Sequence, residues 1–177
     1  VEGLSGIEVT PRTVTIKAMT KHRDVANSKE LLEVMPALAG VPGSIGDPHV
    51  RQTGTIGGSV ANNAPRADYP AACLGLGATI VTNQRKIAAD DYFKGMFDTA
   101  LDSDEIITEI TFPIVKKAAY QKFKHPASGF ALVGVLMPSG DHLVIYSLVP
   151  CCKAPRAALL LAGLLPAVVL TICNLTA

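Results

Sequence analysis

The run Arg51-Gln52-Thr53-Gly54-Thr55-Ile56-Gly57-Gly58-Ser59-Val60-Ala61-Asn62-Asn63 concentrates three glycines and three hydroxyl side chains in one short segment. Glycine reaches backbone conformations closed to other residues. Such a run can therefore turn successive N–H groups into one concavity and hold phosphate oxygens without a lysine. The order Gly-x-x-Gly-Gly lacks the Gly-Lys-Ser/Thr of an ATP-binding P-loop and is not GxGxxG, so neither ATP nor a Rossmann cofactor is indicated. A glycine-rich connection whose hydroxyls satisfy its own backbone fits the same spacing equally well.

Any anion held by this chain is held locally. Sixteen basic and fifteen acidic residues give a formal charge of +1, which supplies no broad field for nucleic acid or an anionic membrane surface. The absence of Trp, with five Phe and four Tyr, argues against a base-stacking surface. A hydrophobic content of 49% over 177 residues is enough for a real core. Cys73, Cys151, Cys152 and Cys173 form no CxxC pair and fit a reducing compartment. His22, His49, His125 and His142 stand singly, without metal-ligand spacing, and read as surface or capping histidines.

Thr13 to Ala18 alternates polar and apolar residues, the period of a strand with one buried face. Thr20 or Asn27-Ser28 can cap short helices, with Leu31, Leu32 and Met35 as an apolar stripe before Pro36 opens another turn. Gly40 to Asn63 reads as loop. Asp68-Tyr69-Pro70 starts a helix over Ala71 to Gly77, followed by a strand from Ala78 to Thr82; Asp90 or Asp91 caps a turn around Tyr92-Phe93. Glu105 to Phe112 is a strand ended by Pro113, with Ile106, Ile110 and Phe112 on one face and Ile107, Glu109 and Thr111 on the other.

Tyr120 to Lys124, Ala131 to Met137 and His142 to Leu148 are further strands, with Pro138-Ser139-Gly140-Asp141 as a hairpin turn and a helix from about Ala154. Ala157 to Ala177 carries no charge, but Gly163, Pro166 and Asn174 interrupt it. A buried helix to about Leu165 and then a buried strand is therefore expected rather than a membrane span. Val1-Glu2-Gly3-Leu4 has neither a basic nor an apolar leader region, so no signal peptide is expected. The pattern is α+β, with a boundary near residue 117.

Three ordered motifs carry a resemblance: Ile45-Gly46-Asp47-Pro48-His49-Val50-Arg51, Gly54-Thr55-Ile56-Gly57-Gly58-Ser59 and Asp68-Tyr69-Pro70-Ala71-Ala72. With Asp104-Glu105-Ile106-Ile107 and Phe123-Lys124-His125-Pro126-Ala127-Ser128, the chain resembles the flavoprotein (medium) subunit of molybdenum hydroxylases of the carbon monoxide and xanthine dehydrogenase type.

That resemblance implies an FAD-binding domain (PCMH-like) over 1–117 and a small, incomplete C-terminal α+β domain over 118–177. It also implies a cytoplasmic electron-transfer subunit of an oxidoreductase complex. A large subunit would hold the molybdenum cofactor and a small one the iron–sulfur clusters. FAD would contact Ile45, Gly46, Thr55, Ile56, Gly57, Gly58 and Ser59, with Asp68 at the ribityl or flavin region, Ile107 on the isoalloxazine and Lys124 at the flavin edge. As plain structure, Asp68 is a helix cap, Ile107 a strand residue and Lys124 an exposed strand lysine. No catalytic acid or base is required on this chain. Family members carry an additional N-terminal βα subdomain with an Ala-Gly-Gly-Thr-Asp loop for the pyrophosphate, and no such loop stands in this sequence. The rival readings are a truncated, flavin-free structural subunit, a stand-alone flavin reductase and a membrane-anchored protein.

Overall fold

The alternation at Thr13–Lys17 does what a period of two requires: Val14 and Ile16 are fully buried while Thr13, Thr15 and Lys17 are half-exposed. This strand is β2 of a computed structural model that describes residues 3–138 and 144–147. It pairs antiparallel with β1 (Ile7–Val9) on one side and β7 (Ile107–Pro113) on the other; β7 pairs with β3 (Thr79–Thr82), and β3 with β4 (Lys86–Ala88). The sheet order is β1-β2-β7-β3-β4. Val14, Ile16, Ile80, Ile110 and Phe112 form one apolar face; on the other, Thr15 and Thr111 meet with hydroxyls 3.3 Å apart.

Helices cover the apolar face. Ser28 caps α2 (Lys29–Val34) by accepting the Leu31 N–H at 3.3 Å, after α1 (His22–Asn27). Pro36 opens α3 (Pro36–Gly43). Leu31 and Met35 are buried as expected, but Leu32 is exposed, so the stripe is narrower than its three apolar residues suggested.

The stretch read as loop is instead largely helical. Asp47 accepts the His49 N–H at 2.7 Å and, with Pro48 in the first turn, starts α4 (Pro48–Thr53). Thr55 accepts the Gly58 N–H at 3.2 Å and starts α5 (Ile56–Asn62), which ends at Asn63 in the left-handed region, φ 41°. Two good caps outweigh the weak helix propensity of glycine here. Next comes α6 (Tyr69–Gly75), then a short α7 (Ala89–Tyr92) in whose first turn Asp90 and Asp91 lie without capping it, and a small hairpin of β5 (Phe93–Gly95) and β6 (Asp98–Thr99).

At the start of β7 the expected sides of two residues are exchanged, while Ile110 and Phe112 share the buried face as expected. Ile107 is buried and Ile106 is 57% exposed. The β3 pairing runs Val81 with Glu109 and then Thr82 with Ile107, leaving Thr108 as an extra residue in a bulge. One inserted residue shifts the period-two pattern, so Ile107 joins Ile110 and Phe112 in the core.

The chain then forms an antiparallel sheet of β8 (Ala118–Lys124), β9 (Ala131–Pro138) and β10 (Val144–Ser147). It packs on α3 and α6, and Leu136 enters the same core. Of the expected turn Pro138–Asp141 only Pro138, the last residue of β9, is described; the rest of it, the helix from about 154 and the segment 157–177 lie outside the described residues. Among the described residues no helix is long and apolar enough to cross a membrane.

A buried acid secures the sheet's far end. Glu105, its side chain fully buried, accepts from Thr82 Oγ1 at 2.6 Å, from Arg85 Nε and Nη2 at 2.9 and 2.8 Å, and from the Asp102 N–H at 3.1 Å. The Arg85 hydrogen bonds, followed by that from Thr82, hold its carboxyl down at about 2 against an ordinary 4.5. Its contribution to stability is therefore complete above pH 4.5 and is lost as the pH falls from there toward 2. Glu105→Gln should lower stability at neutral pH and flatten the pH dependence in that window, as denaturant titrations at a series of pH values would show.

Candidate functional site

Three segments converge around α6 and the start of β8. The first is α5, whose opening amides already have partners. Ile56 N–H donates to Thr20 O at 3.1 Å, Gly57 N–H to Ala18 O at 2.9 Å and Gly58 N–H to Thr55 Oγ1 at 3.2 Å. The expected concavity of phosphate-binding amides is thus not open at these positions, because the donors a helix start normally leaves unsatisfied are used within the protein. Gly57 is buried because it must be: a Cβ there would lie 2.6–2.9 Å from Ala18 atoms, backbone included. Gly58 differs, being exposed and meeting only Thr55 Oγ1, at 3.1 Å. Ile56 is core, and the half-buried hydroxyls of Thr55 and Ser59 flank Gly58.

The second segment is Ser44 to Gly46. Ile45 is half-buried against the core and its carbonyl accepts from the Arg51 guanidinium, while exposed Gly46 lies against the backbone of Gly129. Gly129 has φ +69° and sits in the β8–β9 turn, where His125 Nδ1 accepts the Ala127 and Ser128 N–H groups at 3.3 Å, the capping role expected of that histidine. His22, expected as a surface or capping histidine, is buried in packing instead: its ring packs on Tyr69 at 5.3 Å, and a Cβ at Gly54 would meet its Nε2 at 2.6 Å. Burial lowers its pKa against the opposing charge of Asp68, so it is neutral near pH 7.

The third segment is Asp68 with β8. Asp68 stands before α6 but makes no capping bond. Its carboxylate is 5% exposed, accepting from Tyr120 Oη at 2.5 Å and lying 2.9 Å from Lys122 Nζ. Lys122, its side chain 3% exposed, also donates to Ser44 O at 3.3 Å. Burial first, and the neighbouring Asp68 second, push the Tyr120 phenol well up, so it stays a donor. Beside this cluster β8 and α3 enclose a cleft of about 320 Å³ with Tyr120, Lys122 and exposed Lys124 in its wall. Cys73, fully buried, has its thiol pushed up by desolvation and is inert as a nucleophile.

Of the residues singled out from sequence, Asp68, Ile45, Gly46 and Lys124 border this region, and Thr55, Gly58 and Ser59 offer hydroxyls and open backbone on α5. Ile56, Gly57 and Ile107 are buried in packing. Tyr120 and Lys122 were not singled out. Alternation along β8 does put them on the face of Lys124, opposite the exposed Gln121 and Phe123. The residues present fit the hydroxyl-rich and ring portions of a flavin nucleotide: a buried carboxylate, a phenol, hydroxyls and a cleft at the small end of ligand-site volumes. They fit its pyrophosphate less well, since the first three amides of α5 are committed.

A cofactor-binding α+β domain is what this fold and site define. The family model described as the FAD binding domain in molybdopterin dehydrogenase matches residues 1–115, and the chain belongs to that family. The carbon monoxide dehydrogenase medium chain of Hydrogenophaga pseudoflava is 34% identical over 148 residues, 78% of this chain and 52% of that one. The glyceraldehyde dehydrogenase medium chain of Sulfolobus acidocaldarius is 31% identical over 140 residues, 76% of this chain and 50% of that one. Quinoline 2-oxidoreductase from Pseudomonas putida 86 superposes with a TM-score of 0.74 at 25% identity, covering 81% of this chain and 53% of the matched chain. Carbon monoxide dehydrogenase from Hydrogenophaga pseudoflava gives 0.70 at 35% identity, over 79% and 52%. The chain spans about half the length of the relatives it matches.

The packing at Gly57 generates a direct test. Gly57→Ala should destabilise the chain by about 1–3 kcal/mol, the usual cost of forcing an extra carbon into a filled site. Gly58→Ala should cost clearly less, because its neighbour is a single hydroxyl. Equilibrium denaturation of the two variants checks both.

Proposed function

We propose that this chain is the FAD-binding part of the electron-transfer subunit of a molybdenum-containing dehydrogenase or hydroxylase. Electrons would arrive from iron–sulfur clusters on a small partner subunit, served by a molybdenum cofactor on a large one, and leave to an external acceptor. The observation that carries this reading is the family match over residues 1–115, which spans the glycine helix and Asp68 within one fold. When bound, FAD supplies the capacity to take up and release electrons singly or in pairs.

The chain's own work is binding and orientation. Gly46 and Gly58 leave their surfaces free of side chains, Thr55 and Ser59 present hydroxyls, and Asp68 is an acceptor suited to ribityl hydroxyls. Lys124 places a cation at the mouth of the cleft. The pyrophosphate would be held by donors other than the first three amides of α5. The cysteine usage supports a cytoplasmic setting.

The commitment of those same amides favours a second reading, a subunit that keeps the fold for assembly and carries no flavin. The visible spectrum of the chain purified with its partners, followed by acid release, separates the two. A flavin band yielding stoichiometric FAD is expected. A colourless complex that also fails to take up added FAD would leave the structural reading.

A further inference from the structure

We infer that Lys122 is a positioning residue that joins two of the three segments assigned above to the cofactor, Ser44–Gly46 and Asp68 with β8; the inference rests on that assignment and deepens it. Its ammonium lies 2.9 Å from Asp68 Oδ2, at the start of α6, and 3.3 Å from Ser44 O, at the head of the Ser44–Gly46 segment, while its backbone belongs to β8. Asp68 and Ser44 come from elements that share no strand pairing, and among the described residues Lys122 alone is bonded to both. Two of the three N–H groups of the ammonium are thereby used, and the third has no protein acceptor among the described residues, at the wall of the cleft.

The arrangement is specific to this lysine. Tyr120 also donates to Asp68, at 2.5 Å, but does not bond Ser44. Lys124, two residues on, is exposed and makes no ion pair among the described residues. The Ser44–Gly46 segment is also held to α3, through the Ser44 and Ile45 N–H groups and the Ser44 hydroxyl, and further by Arg51 at the Ile45 carbonyl and by Gly129 against Gly46. Lys122 is the point that ties it to Asp68. A buried lysine is costly without a partner, and a carboxylate at 5% exposure is equally so. Each therefore constrains where the other sits, and Ser44 follows.

Hydrogen exchange on the full chain tests this without reference to flavin. Lys122→Met should speed exchange at residues 44–47 about tenfold, the scale of losing a hydrogen bond to a charged group, while the amides of β2 and β7 keep their protection. Because Lys122→Met strands the Asp68 charge and could fail to fold, the double variant Asp68→Asn/Lys122→Met is run beside it; it removes both charges and should show the same local loss. Tyr120→Phe should leave residues 44–47 unchanged, and Glu105→Gln, destabilised at the far end of the sheet, should not reproduce the local pattern. In parallel, FAD affinity measured by fluorescence titration should fall about tenfold in Lys122→Met, since a less ordered site loses preorganisation.

Unchanged exchange at 44–47 in both lysine variants overturns the inference, as does a rise spread evenly over the chain, which would make Lys122 a general stabiliser. If the local rise occurs but the parent chain takes up no FAD, the functional reading fails and the positioning role stands.

Discussion

At Ala18 the sheet and the glycine helix are joined through one residue's backbone. The Ala18 N–H donates to Thr108 O at 2.9 Å, in the bulge of β7, and its carbonyl accepts the Gly57 N–H at 2.9 Å. No side chain fits between Gly57 and Ala18, so α5 approaches the strand end as closely as two backbones allow. That approach fixes where Thr55, Gly58 and Ser59 stand, and it commits the first amides of the helix. The Thr108 carbonyl that Ala18 engages belongs to the residue left unpaired on the β3 side, where the side-chain pattern shifts by one.

Much of the sheet was legible because its signal is local. Thr13–Lys17 and Thr79–Thr82 alternate cleanly, and their inward residues are buried. The family resemblance, carried by ordered motifs, placed the chain in its class. What stayed hidden was non-local or set by single caps. Glycine content argued for loop over Gly40 to Asn63, whereas Asp47-Pro48 and Thr55 each start a helix there. No feature of the stretch Glu105 to Phe112 announces that Thr108 is an extra residue, because the bulge is defined by the partner strand.

The site shows the same division. Asp68 was found as a motif residue, yet its partners Tyr120 and Lys122 lie 52 and 54 positions away. A lysine among Gln121, Phe123 and Lys124 reads as solvated strand, and only the fold shows it at 3% exposure. His22 was misjudged for a related reason, since its burial depends on Gly54 and Tyr69 coming together across the helices.

Two buried acids illustrate different uses of the same chemistry. Glu105 is saturated by Thr82 at the end of β3 and by Arg85 and a backbone amide from the neighbouring loops, and closes one end of the sheet. Asp68 receives one phenol and one ammonium from a different sheet, and so couples α6 to β8. Replacing a buried ion pair by apolar residues is often neutral for stability, whereas removing one member is not. A pair that adds little net stability can still restrict geometry, and the Asp68–Lys122 pair lies where α6, β8 and, through the Ser44 carbonyl, the end of α3 meet. The glycine run extends this logic to recognition. Spacing alone left it equally a phosphate nest or a self-satisfied turn, and the structure divides the roles residue by residue. Gly57 is required by packing and Gly58 faces outward, so recognition on α5 falls to exposed backbone and hydroxyls.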